Sequence, residues 1–257
     1  MNTSNTLQII SERLFRENIC PSPLNEKDLL IVAEFMRLRN ANSELMRRLS
    51  NVELNYIQIR TEAEESCLSV SVAKDAIISS FRTLIDLWSE KGYLQEFMFA
   101  FQQSNADEMR SDLSACVEHI NINLNIISKS LMTIGETSAQ MRACSASFLE
   151  IYHEAKLAIY AAILNKDKEE VLDCRAISLQ SHASASESTR ASAHFLGMAK
   201  NCTRIISIIN ALITETSISL YSENSVSYRN SIFSPTILSK KISDTIRNLE
   251  YINLENN

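Results

Sequence analysis

Three glycines and three prolines are all that this sequence of 257 residues contains, far below their average use in globular chains. No GxGxxG, GxxxxGKS or GxSxG run is present. The glycine-rich cradles that hold phosphates or present a nucleophile are therefore excluded. Basic residues are not in excess either: the formal net charge is -6. That argues against a nucleic-acid binder, which must neutralise phosphates, and against general attraction to anionic lipid. Long apolar runs are also missing. The nearest is Ile205 to Ile213, with Ser207 and Asn210 inside it, too short and too polar for a constitutive membrane span. The opening MNTSNTLQIISERLFREN lacks a basic stretch followed by an unbroken apolar run, so no cleaved secretory signal is expected.

The chemistry-bearing residues are few and dispersed. Cys20, Cys67, Cys116, Cys144, Cys174 and Cys202 form no CxxC pair, a scatter typical of buried thiols in a reducing compartment. A cytoplasmic location is expected, or secretion without a cleaved N-terminal signal. His119, His153, His182 and His194 lie far apart, and Cys116 with His119 supplies only two ligands where a zinc site needs four. His153-Glu154 would begin an HExxH motif, but Leu157 stands where the second histidine belongs. Glu62, Glu64 and Glu65 form an acidic cluster without a facing ExxH partner. No catalytic residue, metal ligand or cofactor-binding residue is assigned, and the chain reads as a non-enzyme.

What the sequence has in abundance is helical periodicity. With so few punctuators, long helices are expected. Leu7, Ile10, Leu14 and Phe15 mark a short helix over about 6–18, stopped by CPSP. Asn25 then caps the next, with Asp28 three residues on. From Ile31 to Leu87 apolar residues recur at alternating spacings of four and three, a heptad seam, with Asn42 and Ser66 as polar defects. The seam predicts one helix over about 26–90, or two broken near Cys67 to Ser71, where SCLSVS is rich in Ser and β-branched residues. Equivalent seams run from Leu113 to Ala162 and from Val171 to Leu220, giving helices over about 105–165 and 168–221. Ser234-Pro235 opens a last helix over 235–252, with proline at its first position.

The tract SHASASESTRASAHF, residues 181–195, keeps heptad phase with the hydrophobes on either side and is read as helix, not linker. Folding the chain back at residues 165–168 puts it against AQMRACSASF, residues 139–148, which is also rich in small side chains. Small residues on both partners permit close approach. A tight helix–helix waist is thus predicted from Ala139, Ala143, Cys144, Ser181, Ala185, Ser188 and Ser192.

Two further surfaces are candidates. The connector contains YLQEFMFAF, residues 93–101. The topology allows the C-terminal helix to fold down over it; left exposed, the segment would be an apolar patch, with Tyr93, Leu94, Phe97, Met98, Phe99 and Phe101 as the interaction tip. Arg37, Arg39, Arg47 and Arg48 form a modest basic face, interspersed with Glu34 and Glu44.

Three long helices joined by short corners must run up, down and up. The expected fold is all-α: a single elongated antiparallel bundle of three long heptad-patterned helices over residues 1–257, with short helices at the N- and C-termini. The expected function is that of an interaction or scaffold protein acting through protein–protein contacts, with a protein partner and a possible homo-dimer. The alternative is a membrane-acting protein, membrane being a possible partner. In outline such a bundle resembles an α-helical pore-forming toxin, with residues 93–101 as the apolar tip.

Overall fold

The structure is a computed structural model that describes residues 3–38, 41–90, 106–221 and 235–252. Six helices carry the chain: α1 Thr3–Arg16, α2 Glu26–Phe35, α3 Ala41–Glu90, α4 Ala106–Asn165, α5 Lys168–Tyr221 and α6 Pro235–Glu250. It is an all-α bundle in which three long helices are accompanied by short ones, and no strand occurs among the described residues. Neither the SCLSVS tract nor Gly135 interrupts its helix.

The helix expected over 26–90 is in fact two, α2 and α3, and the break falls at residues 36–38 instead of near Cys67. In the sequence the spacing of four and three runs on across the break, from Ile31, Phe35 and Leu38 through Asn42 to Leu45, which is why the sequence hides it. Packing makes it. The buried Leu29 and Val32 of α2 share a core with Ile10 and Leu14 of α1 and with Leu157 and Leu164 of α4. The last turn of α2 closes with Arg37 N–H on the Glu34 carbonyl, 2.9 Å, and Leu38 N–H on the Phe35 carbonyl, 3.2 Å. Asn165 Nδ2 donates to the Met36 carbonyl, one of the acceptors that a helix end leaves open.

Two compact units arise from the contacts. The first comprises residues 1–61 and 137–193, the second residues 62–136 and 194–257.

In the first unit the corners are built from capping chemistry. Asn18 and Lys166 both adopt left-handed backbone, φ 51° and 59°. At the end of α4, Lys166 N–H bonds to the Ile163 carbonyl and Asp167 N–H to the Ala162 carbonyl, at 3.0 and 2.9 Å. This is the paired pattern of a Schellman cap. The end of α1 repeats it, with Asn18 N–H on Phe15 and Ile19 N–H on Leu14. Asp167 then caps α5, its Oδ1 accepting from Glu170 N–H at 3.0 Å. Asn25 caps α2 in the same way, accepting from Asp28 N–H at 2.9 Å. The reciprocal half of that box is absent, because the Asp28 carboxylate faces His153 Nε2 at 3.0 Å.

In the second unit Ile77 and Phe81 of α3, Ile127 and Ile134 of α4, Ile205 and Ile209 of α5, and Leu249 of α6 are buried. Lys74 donates to the Ile252 carbonyl at 3.2 Å, and Arg82 bonds to Glu250 at 2.6 Å, which ties the end of α6 to α3.

Gly135 in α4 and Gly197 in α5 stand mid-helix, and a Cβ added at either would meet nothing within 4 Å. Each therefore carries the entropic cost of glycine without a packing reason. Gly135→Ala and Gly197→Ala should each raise stability by about 0.5–1 kcal/mol. A lower denaturation midpoint in either variant would mean that the position needs glycine for a reason outside its own helix.

Candidate interaction surfaces

The Ser/Ala tract of α5 meets α4 within the first unit, through hydroxyls. Ser138 Oγ donates to the Ser192 carbonyl and Ser192 Oγ to the Ser138 carbonyl, both at 2.8 Å. Ser188 Oγ donates to the Met141 carbonyl at 2.6 Å, and Ser145 Oγ to the Ala185 carbonyl at 3.1 Å. Thr189 joins the last pair, 2.8 Å from Ser145. A serine hydroxyl reaches one bond beyond Cβ, so a hydroxyl resting on the facing backbone requires the two helices to approach closely.

Placement differs from the sequence expectation on α4. Ser181, Ala185, Ser188 and Ser192 are buried. Ala139 and Ala143, assigned to the waist, are exposed and do not belong to it. Cys144 is buried, but Asn55 of α3 lies at its sulfur, 3.7 Å away. Among the α4 residues that face the tract are Ser138, Met141 and Ser145, with Arg142 donating to Ser192 Oγ and Tyr152 against the His182 ring. The pairing is displaced by two to three positions from a fold-back centred at residue 166, a register decided by the Schellman corner. Residue composition signalled the small-residue tract on α5 but could not say which side of α4 it would meet.

The proposed basic face is not a bare one. Arg47 pairs with Glu44 at 2.7 Å. Arg48 makes a two-pronged contact with Glu154 of α4, which raises the guanidinium pKa above its ordinary value. Arg37 is exposed, and Arg39 lies outside the described residues. The aromatic tip, Tyr93, Leu94, Phe97, Met98, Phe99 and Phe101, lies outside them as well.

No disulfide links the six cysteines, and all but Cys116 are buried. Burial pushes the Cys67 and Cys202 thiols up to about 11 and Cys174 to about 12, with nearby carboxylates adding to the shift at Cys67 and Cys174. Such thiols stay protonated and are poor nucleophiles.

One polar constellation in the second unit escaped sequence reading, because its members lie 39 residues apart: Ser80 Oγ is 2.7 Å from His119 Nδ1. Ser80 also bonds the Ala76 carbonyl at 3.0 Å. A hydroxyl has a single hydrogen. If it goes to Ala76, His119 Nδ1–H donates to Ser80, and Nε2 is left facing Asn123 Nδ2 at 3.5 Å. In that arrangement the histidine donates to the serine, opposite to what a general base does to its nucleophile.

A shallow hollow of about 220 Å³ between α1 and α2 is lined by Leu14, Phe15, Cys20, Pro23 and Leu24. Among the described residues no group of three His, Cys, Asp or Glu could hold a metal ion. The expectation of a possible membrane partner is corrected: among the same residues no helix is long and apolar enough to cross a membrane. Polar side chains interrupt the apolar runs of the long helices, as Ser207 and Asn210 do between Ile205 and Ile213, and Lys156 and Asn165 bound the eight-residue run Leu157–Leu164.

Ser188 is fully buried and gives the sharpest test of the close approach. Ser188→Ala should cost about 0.5–1.5 kcal/mol, the worth of one hydrogen bond. Ser188→Leu should cost about 2–4 kcal/mol, since overpacking adds to that loss. Chemical unfolding with unchanged slope and equal midpoints for leucine, alanine and parent would rule out a tight contact here.

No family model, curated protein or solved structure matches this chain, so a functional reading rests on its own residues.

Proposed function

We propose that the chain is a non-enzymatic helical protein that acts through protein–protein contacts made by the outward faces of its long helices. Their inward faces follow heptad spacing, and α4 packs antiparallel to α5. The pairing supports that reading, since partners on α5 descend from Ser192 to Ala185 as those on α4 ascend from Ser138 to Ser145.

The observation that carries the proposal is apolar surface at helical spacing on faces that the core does not use. In the first unit Leu172 and Leu179 of α5 are seven residues apart and strongly exposed, with exposed Ala176 between them. Leu54 and Ile57 make a like pair on α3. Single exposed leucines need no explanation. Leucines repeating along one helix face form a stripe of the kind that a partner helix covers. The buried thiols and internally paired arginines offer no competing chemistry.

The test compares the full chain with a Leu54→Gln, Leu172→Gln, Leu179→Gln triple mutant. Circular dichroism and melting should be nearly unchanged, because these side chains are not in the core. Light scattering across a concentration series, with capture from the native source, should show a dimer or a specific protein that the triple mutant loses. The reading is refuted if the parent stays monomeric and every protein it captures is captured equally by the triple mutant.

A further inference from the structure

Resting on the reading that the chain works through protein contacts, we propose that residues 64–75 of α3, in the second unit, form a docking face for a basic amphipathic helix. Two features meet there. Leu68 and Val72 are 66% and 63% exposed although they lie one turn apart on a helix whose other side is buried at Cys67, Val70 and Ala73. Glu64, Glu65 and Asp75 are exposed beside them. At roughly 100° per residue all five fall within an arc of about 100°. Thr61 and Ser79 continue the arc at either end, so no Lys or Arg enters it from residue 61 to 79. Lys74 lies on a different side of the helix, where it donates to the Ile252 carbonyl. Lys74 and Arg82 bond to α6 and the residues just after it, and Leu68 and Val72 precede both on the helix.

The charge pattern selects the occupant. A second copy of this face would set carboxylate against carboxylate whether the two helices ran parallel or antiparallel, since Glu65 would meet itself or Asp75. Nucleic acid is repelled for the same reason. A helix with two or three aliphatic residues on one face and Lys or Arg flanking them satisfies both components: its apolar stripe covers Leu68 and Val72, and its cations lie over the acidic rim. The acidic rim adds steering and selectivity that salt should screen.

The probe is a synthetic helical peptide of about four turns with leucines on one face and lysines beside them, together with a counterpart in which every lysine is glutamate. Binding to the full chain is read by fluorescence anisotropy at low and high salt. The lysine peptide should bind saturably, roughly tenfold or more tighter than the glutamate peptide, with the margin shrinking in salt. Leu68→Gln with Val72→Gln should abolish binding. Glu65→Gln with Asp75→Asn should weaken it several-fold and flatten its salt dependence. Unchanged melting curves verify that each mutant is folded. Equal binding of the two peptides, or binding that survives both double substitutions, overturns the proposal. So does a dimer of the parent that Leu68→Gln with Val72→Gln dissociates, because the face would then belong to a second copy. A negative peptide result alongside protein capture lost in the Leu54, Leu172, Leu179 triple mutant refutes this face while leaving the broader interaction reading standing.

Discussion

The contact on which the first unit depends is the set of hydroxyl-to-carbonyl bonds between α4 and α5. A buried serine is costly unless its hydroxyl finds an acceptor. In a leucine-rich interface the nearest acceptors are too distant. Here the hydroxyls of Ser138, Ser145, Ser188 and Ser192 rest on the main chain of the facing helix, reciprocally so in the Ser138–Ser192 pair, while Ser181 bonds back to the Ile177 carbonyl of its own helix. Close approach makes the bonds possible, and the bonds make burial of the serines tolerable. Among the described residues no buried side-chain nitrogen or oxygen is left without a partner.

That arrangement needs a fixed register, because a shift of one residue would carry the hydroxyls away from their acceptors. The corner supplies it. Lys166 in left-handed backbone and the two bonds of the Schellman cap end α4 at Asn165, and the Asp167 cap restarts the chain at Lys168. The first-unit stretches of α4 and α5 are thereby phased by a single short turn. The same economy holds α2 in place, where Asn25 caps its start, Asp28 meets His153, and Asn165 meets the Met36 carbonyl.

Charge and apolar surface are distributed by a different logic. Two of the arginines that stand out in the sequence are absorbed within the fold, Arg47 by Glu44 and Arg48 by Glu154. Glu64, Glu65 and Asp75, beside Leu68 and Val72, face outward. Part of the excess negative charge of the chain is therefore displayed where apolar side chains are also exposed. That pairing of properties is what the proposed cationic, amphipathic partner would recognise.

Helix content and most helix ends were legible in the sequence, because scarce Gly and Pro, recurrent apolar spacing, Asn25 and Pro235 act locally. The fold of the Ser/Ala tract as helix was legible for the same reason, its phase matching that of its neighbours. The break after Phe35 was not, since the apolar side of α2 packs with α1 and the end of α4, a tertiary contact that local spacing does not encode. At the seam defect of α3, Cys67 is the buried residue and Ser66 is only half-buried, a rotation of one position that spacing alone does not fix. The exposure of Ala139 and Ala143 and the burial of Ser138 and Ser145 were likewise decided by tertiary contact. Periodicity specifies that a helix has an inside. Which residues occupy it depends on the partner's register, and that is set by a left-handed lysine in a corner whose sequence carries no glycine to announce it.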